Sequence, residues 1–153
     1  MGHFRIYLDN CCLNRPYDDQ THETIRLETG AKLYVQNEIR RGEIELAWSF
    51  MIDFENSENP NVDEKEMIAE WKHLAKIHVA AADSILRKGR ELESTFGIRA
   101  KDALHVACAM DGRCGHFLTT DKQLLRKFAG NQLYGLRILN PIQFIYQMEE
   151  ETP

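Results

Sequence analysis

Apolar residues along this chain fall into short dense runs separated by longer stretches in which they recur every three or four positions. Phe4 to Leu8, Ile44 to Ser49 and the "HFL" of "HFLTT" are runs of the first kind, as expected of strands buried on both faces. Leu136 to Leu139 reads as an edge strand, and "KIHVAA" holds a short one around Ile77 to Ala80. The helical spacing predicts helices over His22 to Arg41, Asp63 to Ala75, Ala81 to Thr95, Arg99 to Met110, Asp121 to Phe128 and Pro141 to Met148. Phe50 to Glu55 reads as a short helix or helical turn running into the loop "ENSENPNVDE".

Local signals set several ends. Thr21, closing the polar turn "NRPYDDQT", is placed to cap the helix that starts at His22, and Glu23 suits its positive end, although Thr24 stands where a capping box wants Glu or Gln. Gly30 weakens this helix and Gly42 ends it. Ala103, Leu104, Val106, Ala107 and Ala109 make the Arg99 helix apolar on most sides, so it packs tightly on a sheet before Gly112 and Gly115 close it. Strands alternating with helices predict a three-layer α/β/α sandwich around a central, mainly parallel sheet.

At 153 residues, with 43% apolar and 28% charged residues, the expectation is one domain over 1–153, without repeats or low-complexity segments. No apolar run is long enough to span a bilayer and no secretory leader pattern opens the chain, so a cytoplasmic protein with no membrane partner is expected. Cys11 and Cys12 are adjacent, Cys108 lies in the apolar helix and Cys114 reads as exposed, a set that fits reduced thiols better than disulfides. His73 and His78 lack the C-x-x-C that a structural zinc site would pair with them. A formal charge of −5 argues against holding nucleic acid by bulk positive charge. It leaves room for an acidic enzyme whose metal ions reverse the local field.

Asp9 and Asp121 each follow a strand directly, which puts them at carboxyl ends of a parallel sheet, where such folds place ligand sites. Asp102 opens the apolar helix, and Glu55 follows the second strand. Each has a plain structural reading: a turn cap for Asp9, dipole compensation for Asp102, an N-cap for Asp121, a solvated acid for Glu55. Jointly they say more, because like charges crowded at one sheet edge are costly without a cation. A donor set of oxygens alone selects Mg²⁺ or Mn²⁺.

"YLDNCCLNRP", "WSFMIDFENSENP", "GIRAKDALHVACAM" and "HFLTTDKQLL" together resemble the PIN-domain family of small metal-dependent nucleases, which includes the toxins of VapBC toxin-antitoxin pairs. The resemblance runs from Phe4 to about Phe144, and its most specific part is "KDALHVACA" followed closely by "LTTD". It implies a PIN-like sandwich, cleavage of RNA, and Asp9, Glu55, Asp102 and Asp121 as ligands of Mg²⁺ or Mn²⁺, with Thr119 in the Thr-x-Asp position. Glu55 would be a ligand or would orient the attacking water; Asp53 and Glu58 lie close enough to contest its place. Asn10 stands where relatives often carry a small hydroxyl residue, and the implied helix motif D-A-L-x-x-A-x-A falls on "DALHVACA", with Val106 in its x-x step. Cys11 and Cys12 read as apolar packing.

Around these acids, Arg99, Lys101, Lys122 and Arg126 form a positive rim for RNA, each of them also readable as an ordinary solvated helix residue. His105, one turn after Asp102, either faces the site or packs in the core. The resemblance further implies an antitoxin protein over the site, and Tyr34, Trp48, Phe50 and Trp71 are candidates for contacts with it or with a second copy in a homodimer, core packing being the competing role. Other readings are a catalytically silent PIN-like module that binds RNA or a partner protein, and a haloacid-dehalogenase-like phosphatase with Asp9 as nucleophile, for which Cys11 stands where a second Asp belongs. Dinucleotide binding fails because no G-x-G-x-x-G follows the first strand.

Overall fold

The computed structural model of the chain describes residues 4–13, 23–129, 133 and 135–151. Five strands, β1 (Phe4–Leu8), β2 (Ile44–Ser49), β3 (Ile77–Val79), β4 (His116–Leu118) and β5 (Arg137–Leu139), form one sheet in the order β3-β2-β1-β4-β5, every pairing parallel. The apolar run of β1 takes the centre, where Ile6 lies opposite Leu46 on one side and His116 on the other. The helices are α1 (Asn10–Leu13), α2 (Glu23–Arg40), α3 (Phe50–Ser57), α4 (Val62–Lys72), α5 (Asp83–Phe96), α6 (Ala100–Asp111), α7 (Lys122–Lys127) and α8 (Pro141–Glu151).

Strand alternation sorts the core into two halves. Phe4 points to the face covered by α2 and α8, where Phe144 of α8 meets it edge-on at 5.6 Å and meets His116 at 5.0 Å. Tyr7 points to the opposite face, stacks on Phe117 at 5.3 Å and meets His105 of α6, which packs along α5. Ile6, Tyr7, Leu46, Phe117 and Phe144 are fully buried, each burial worth about 1.5–3 kcal/mol. The result is a PIN-like three-layer α/β/α sandwich, with a sheet that is parallel throughout rather than mainly so.

The expected elements are present with shifted ends. α2 begins at Glu23; the turn "NRPYDDQT", the Thr21 cap and His22 lie outside the described residues. Gly30 does not interrupt α2, and Gly42, at φ 82°, follows its end as anticipated. α3 runs to Ser57, capped at its start by Ser49 accepting from the Ile52 N–H, so Glu55 belongs to a helix and not to the loop. α1, one turn of "NCCL", was not anticipated. Trp48 and Trp71 are buried core residues, Phe50 is half-buried, and Tyr34 is 46% exposed.

All four cysteines are free thiols, and Cys114, expected to be exposed, is buried. The cause is Arg113, whose left-handed backbone (φ 57°) turns the chain back so that the Cys114 N–H reaches the Ala109 carbonyl. Burial drives the Cys114 and Cys108 thiols up to about 12, so both stay protonated. Among the described residues no helix is long and apolar enough to cross a membrane.

Candidate acidic site at the carboxyl edge of the sheet

The chain leaves β1 to build β2 and β3 on one side and returns to place β4 on the other. The strand order therefore reverses between β1 and β4, and in parallel sheets the crevice at such a reversal is where ligands bind. Asp9 ends β1 there, its N–H donating to the Leu118 carbonyl of β4 at 2.9 Å.

The Asp9 carboxylate is fixed from several sides. Oδ1 accepts the Asn10 N–H at 2.8 Å; Oδ2 accepts the Thr119 hydroxyl at 2.7 Å and the Cys11 thiol at 3.7 Å. Thr119, fully buried, also accepts the Asp121 N–H through the same Oγ1 at 3.1 Å, so a single hydroxyl ties two acids together. The turn after Asp9 is held from behind by α2, where buried Lys32 donates to the Cys11 carbonyl at 3.0 Å and Gln36 to the Cys12 carbonyl at 3.4 Å. Asn10 contributes its backbone to Asp9, while its side-chain Oδ1 is buried without a partner.

Asp121 is the N-cap of α7, the plain reading the sequence allowed, and it also meets Arg99. Its Oδ1 caps α7 by accepting from the N–H groups of Gln123 and Leu124, at 2.9 and 3.3 Å, and its Oδ2 is bound by Arg99 Nη2 at 3.1 Å. Arg99 Nε reaches Asp102 Oδ2 at 3.2 Å, so one guanidinium bridges the first turn of α6 and the end of β4. Gly97 makes this reach possible: in the left-handed conformation at φ 64° it ends α5, and two residues later Arg99 stands at the head of α6. Asp102 is the electrostatically stressed member. Burial and the charges of Asp9 and Asp121 raise its carboxyl above the usual carboxylate range, against the opposing pull of Arg99.

Glu55 is held by a separate chain of side chains, with no bond to the three aspartates. It is bonded to His105 Nε2, whose Nδ1 bonds the Tyr7 hydroxyl, which in turn lies 2.7 Å from Ser49 Oγ. His105 is thus both buried in the core and in contact with a site acid. Burial pushes Glu55 up, but the bond and charge of His105, aided by Lys101, outweigh it and hold the carboxyl below its ordinary value. The two neighbouring acids are placed differently: Asp53 accepts from Trp48 Nε1 and Lys72 Nζ, and Glu58 caps the end of α3.

Of the expected cationic rim, Arg99 contacts the acids directly. Lys101 lies 5.9 Å over the Phe54 ring, and Lys122 and Arg126 are exposed on α7 without an ion pair to the four acids. Lys127 was missed; with Gly97, Arg99, Asp102 and Asp121 it lines a small hollow. Cys11 was missed as well: it is not simply packed like Cys12, since its sulfur accepts the Thr120 N–H at 3.4 Å and touches Asp9 and Thr119. The bond from Cys12 holds the Cys11 thiol below its usual range.

Among the described residues no group of three or more His, Cys, Asp or Glu side chains is positioned to hold a metal ion as it stands. The donor chemistry nevertheless suits one. Asp9, Asp102 and Asp121 offer oxygens alone, they repel one another, and a cation, the Arg99 guanidinium, already sits on two of them. A hard divalent ion would meet the same need.

No family model matches the sequence, and no curated protein does. In structure the chain is similar to the crystal structure of FitAcB from Neisseria gonorrhoeae, with a TM-score of 0.51 and 18% identity over 90% of this chain and 98% of that one. At this identity the likeness shows the fold alone, the PIN-like sandwich, shared over nearly both full lengths.

Proposed function

We propose that this protein is a Mg²⁺- or Mn²⁺-dependent endoribonuclease. The observation that carries the reading is the set of three carboxylates, Asp9, Asp102 and Asp121, brought from residues far apart in sequence to one sheet edge, two of them sharing a counter-cation. Asp9, Asp102 and Asp121 would hold the metal, with Glu55 beside them. A bound divalent ion supplies the charge that makes a water acidic enough to attack phosphorus and that offsets charge on the leaving oxygen.

The chain's own residues do the rest. Thr119 and the Asn10 N–H orient Asp9 so that its carboxylate keeps one direction. Glu55, held ionised by His105 and Lys101, accepts the proton of the attacking water; Oε1 is engaged by His105, which leaves Oε2 for that proton. Arg99, Lys101, Lys122, Arg126 and Asn10 line the approach for the phosphate backbone, with Arg99 closest to the acids. Taken with the resemblance to VapBC toxins, the reading extends to an antitoxin, a small partner protein that covers this edge.

A catalytically silent module is the second reading, favoured by Arg99 already pairing with Asp102 and Asp121. Cleavage of a panel of structured and single-stranded RNAs with Mg²⁺ or Mn²⁺, against EDTA and Asp102→Asn, separates the two. The nuclease reading expects metal-dependent cleavage that the substitution abolishes. No cleavage together with no metal-induced rise in melting temperature refutes it and favours the silent module.

A further inference from the structure

We propose that Arg99 is a built-in counter-cation of the acidic site, seated on Asp102 and Asp121 when no metal is bound and displaced by a divalent ion onto the phosphate of the substrate. This rests on the metal-dependent reading above. The geometry that points to it is a single side chain whose Nε lies 3.2 Å from Asp102 Oδ2 and whose Nη2 lies 3.1 Å from Asp121 Oδ2, while 74% of that side chain remains exposed.

Both halves of this arrangement matter. Asp102 feels the charges of Asp9 and Asp121, a repulsion that a cation seated among them relieves, and among the described residues Arg99 is the group that ion-pairs with two of the three. Yet nothing packs Arg99 in place. Its backbone is anchored at the head of α6, and the exposed arm swings without opening a cavity or breaking the core. A compact dication outcompetes a single delocalised charge for carboxylate oxygens, whereas a released guanidinium is well suited to a phosphate, which it grips through paired N–H donors. Entry of metal would then convert Arg99 from site occupant to substrate clamp.

The test is calorimetric Mn²⁺ binding to the whole protein without RNA, for native protein, Arg99→Ala, Arg99→Gln and the charge-matched control Arg90→Ala on α5. Both Arg99 variants should bind Mn²⁺ about two- to tenfold more tightly than native, the range two exposed ion pairs command, with the gap narrowing as salt rises. The control should match native. In RNA cleavage at saturating Mn²⁺, the same two variants should show a raised KM at little-changed kcat. Mn²⁺ affinity equal to or weaker than native in both Arg99 variants overturns the proposal while leaving the metal site intact, since Arg99 would then be ordering the acids rather than competing for them. Absence of Mn²⁺ binding in every protein overturns the metal-site reading along with it. Tighter binding without the change in KM overturns the transfer of Arg99 to substrate.

Discussion

Replacing Thr119 with Val keeps the shape of a fully buried side chain and deletes one hydroxyl, so it isolates the hydrogen bonds that link Asp9 to Asp121. Two consequences follow. Asp9 Oδ2 loses a donor at 2.7 Å, a bond to a charged group worth about 1.5–3 kcal/mol, and the Asp121 N–H loses its acceptor, a penalty of about 1–3 kcal/mol. The two share one atom and do not simply add; a loss of about 2–4 kcal/mol is expected, or about 5–15 °C in melting temperature for a chain of this length. Urea titration gives the first number and a thermal scan the second. Thr119→Ser should recover most of the loss, since it restores the hydroxyl. A double-mutant cycle with Asp9→Ala should show coupling, because the Asp9 bond is removed in either single variant. A Thr119→Val protein within about 0.5 kcal/mol of native, the range of an ordinary surface change, would refute the claim that this hydroxyl organises the site.

Asp102→Asn should raise the metal-free melting temperature at neutral pH: a carboxyl with a raised folded value gives stability that is full below about 3.8 and lost as pH rises through the folded value, and the amide removes that loss. The same variant should lose metal-dependent cleavage, and a protein destabilised at pH 7 would contradict the electrostatic account. His105→Phe leaves Glu55 and the Tyr7 hydroxyl without their shared partner and should cost about 1–3 kcal/mol by denaturation; combined with Tyr7→Phe the loss should be smaller than the sum. His116, buried between Phe4 and Phe144, is held below its usual value mainly by burial, which outweighs the upward pull of Glu151 and is aided by Arg137. Stability should therefore be full above about pH 6.5 and fall as the pH drops below it, and His116→Phe should flatten a urea midpoint series in that window. Gly97→Ala places a side chain at φ 64° and should cost about 1 kcal/mol in thermal stability, with a larger relative effect on RNA cleavage because the same turn sets Arg99.

Asp9, Asp102 and Asp121 were legible because each sits where the hydrophobic pattern changes period, and that change fixes an edge of the sheet. Glu55 was legible as a residue type but not in register. The difference lies in α3, which starts at the Ser49 cap and continues two residues past Glu55, and in His105, whose position on an apolar helix gives no hint that Tyr7 and Glu55 lie at its two nitrogens. α1 escaped notice because a single turn carries too few residues for a period to register. Cys114 misled because the sequence "GRCG" reads as an open turn, while one left-handed residue folds it inward. Lys122 and Arg126 stay at the solvent face of α7, where exposure is compatible with either reading the sequence allowed them.

The central position of β1 carries a consequence for synthesis on the ribosome. One side of this strand pairs with β2, but the other waits for β4, whose Leu118 emerges roughly 70 residues after Ser49. At about 5–20 residues per second this leaves an apolar edge open for about 4–14 seconds, long enough for a neighbouring nascent chain to pair with it. The same wait means that Asp9 has neither Thr119 nor Asp121 beside it until more than three quarters of the chain has been made. A prematurely terminated product ending before β4 therefore carries a sticky edge and no assembled acid cluster.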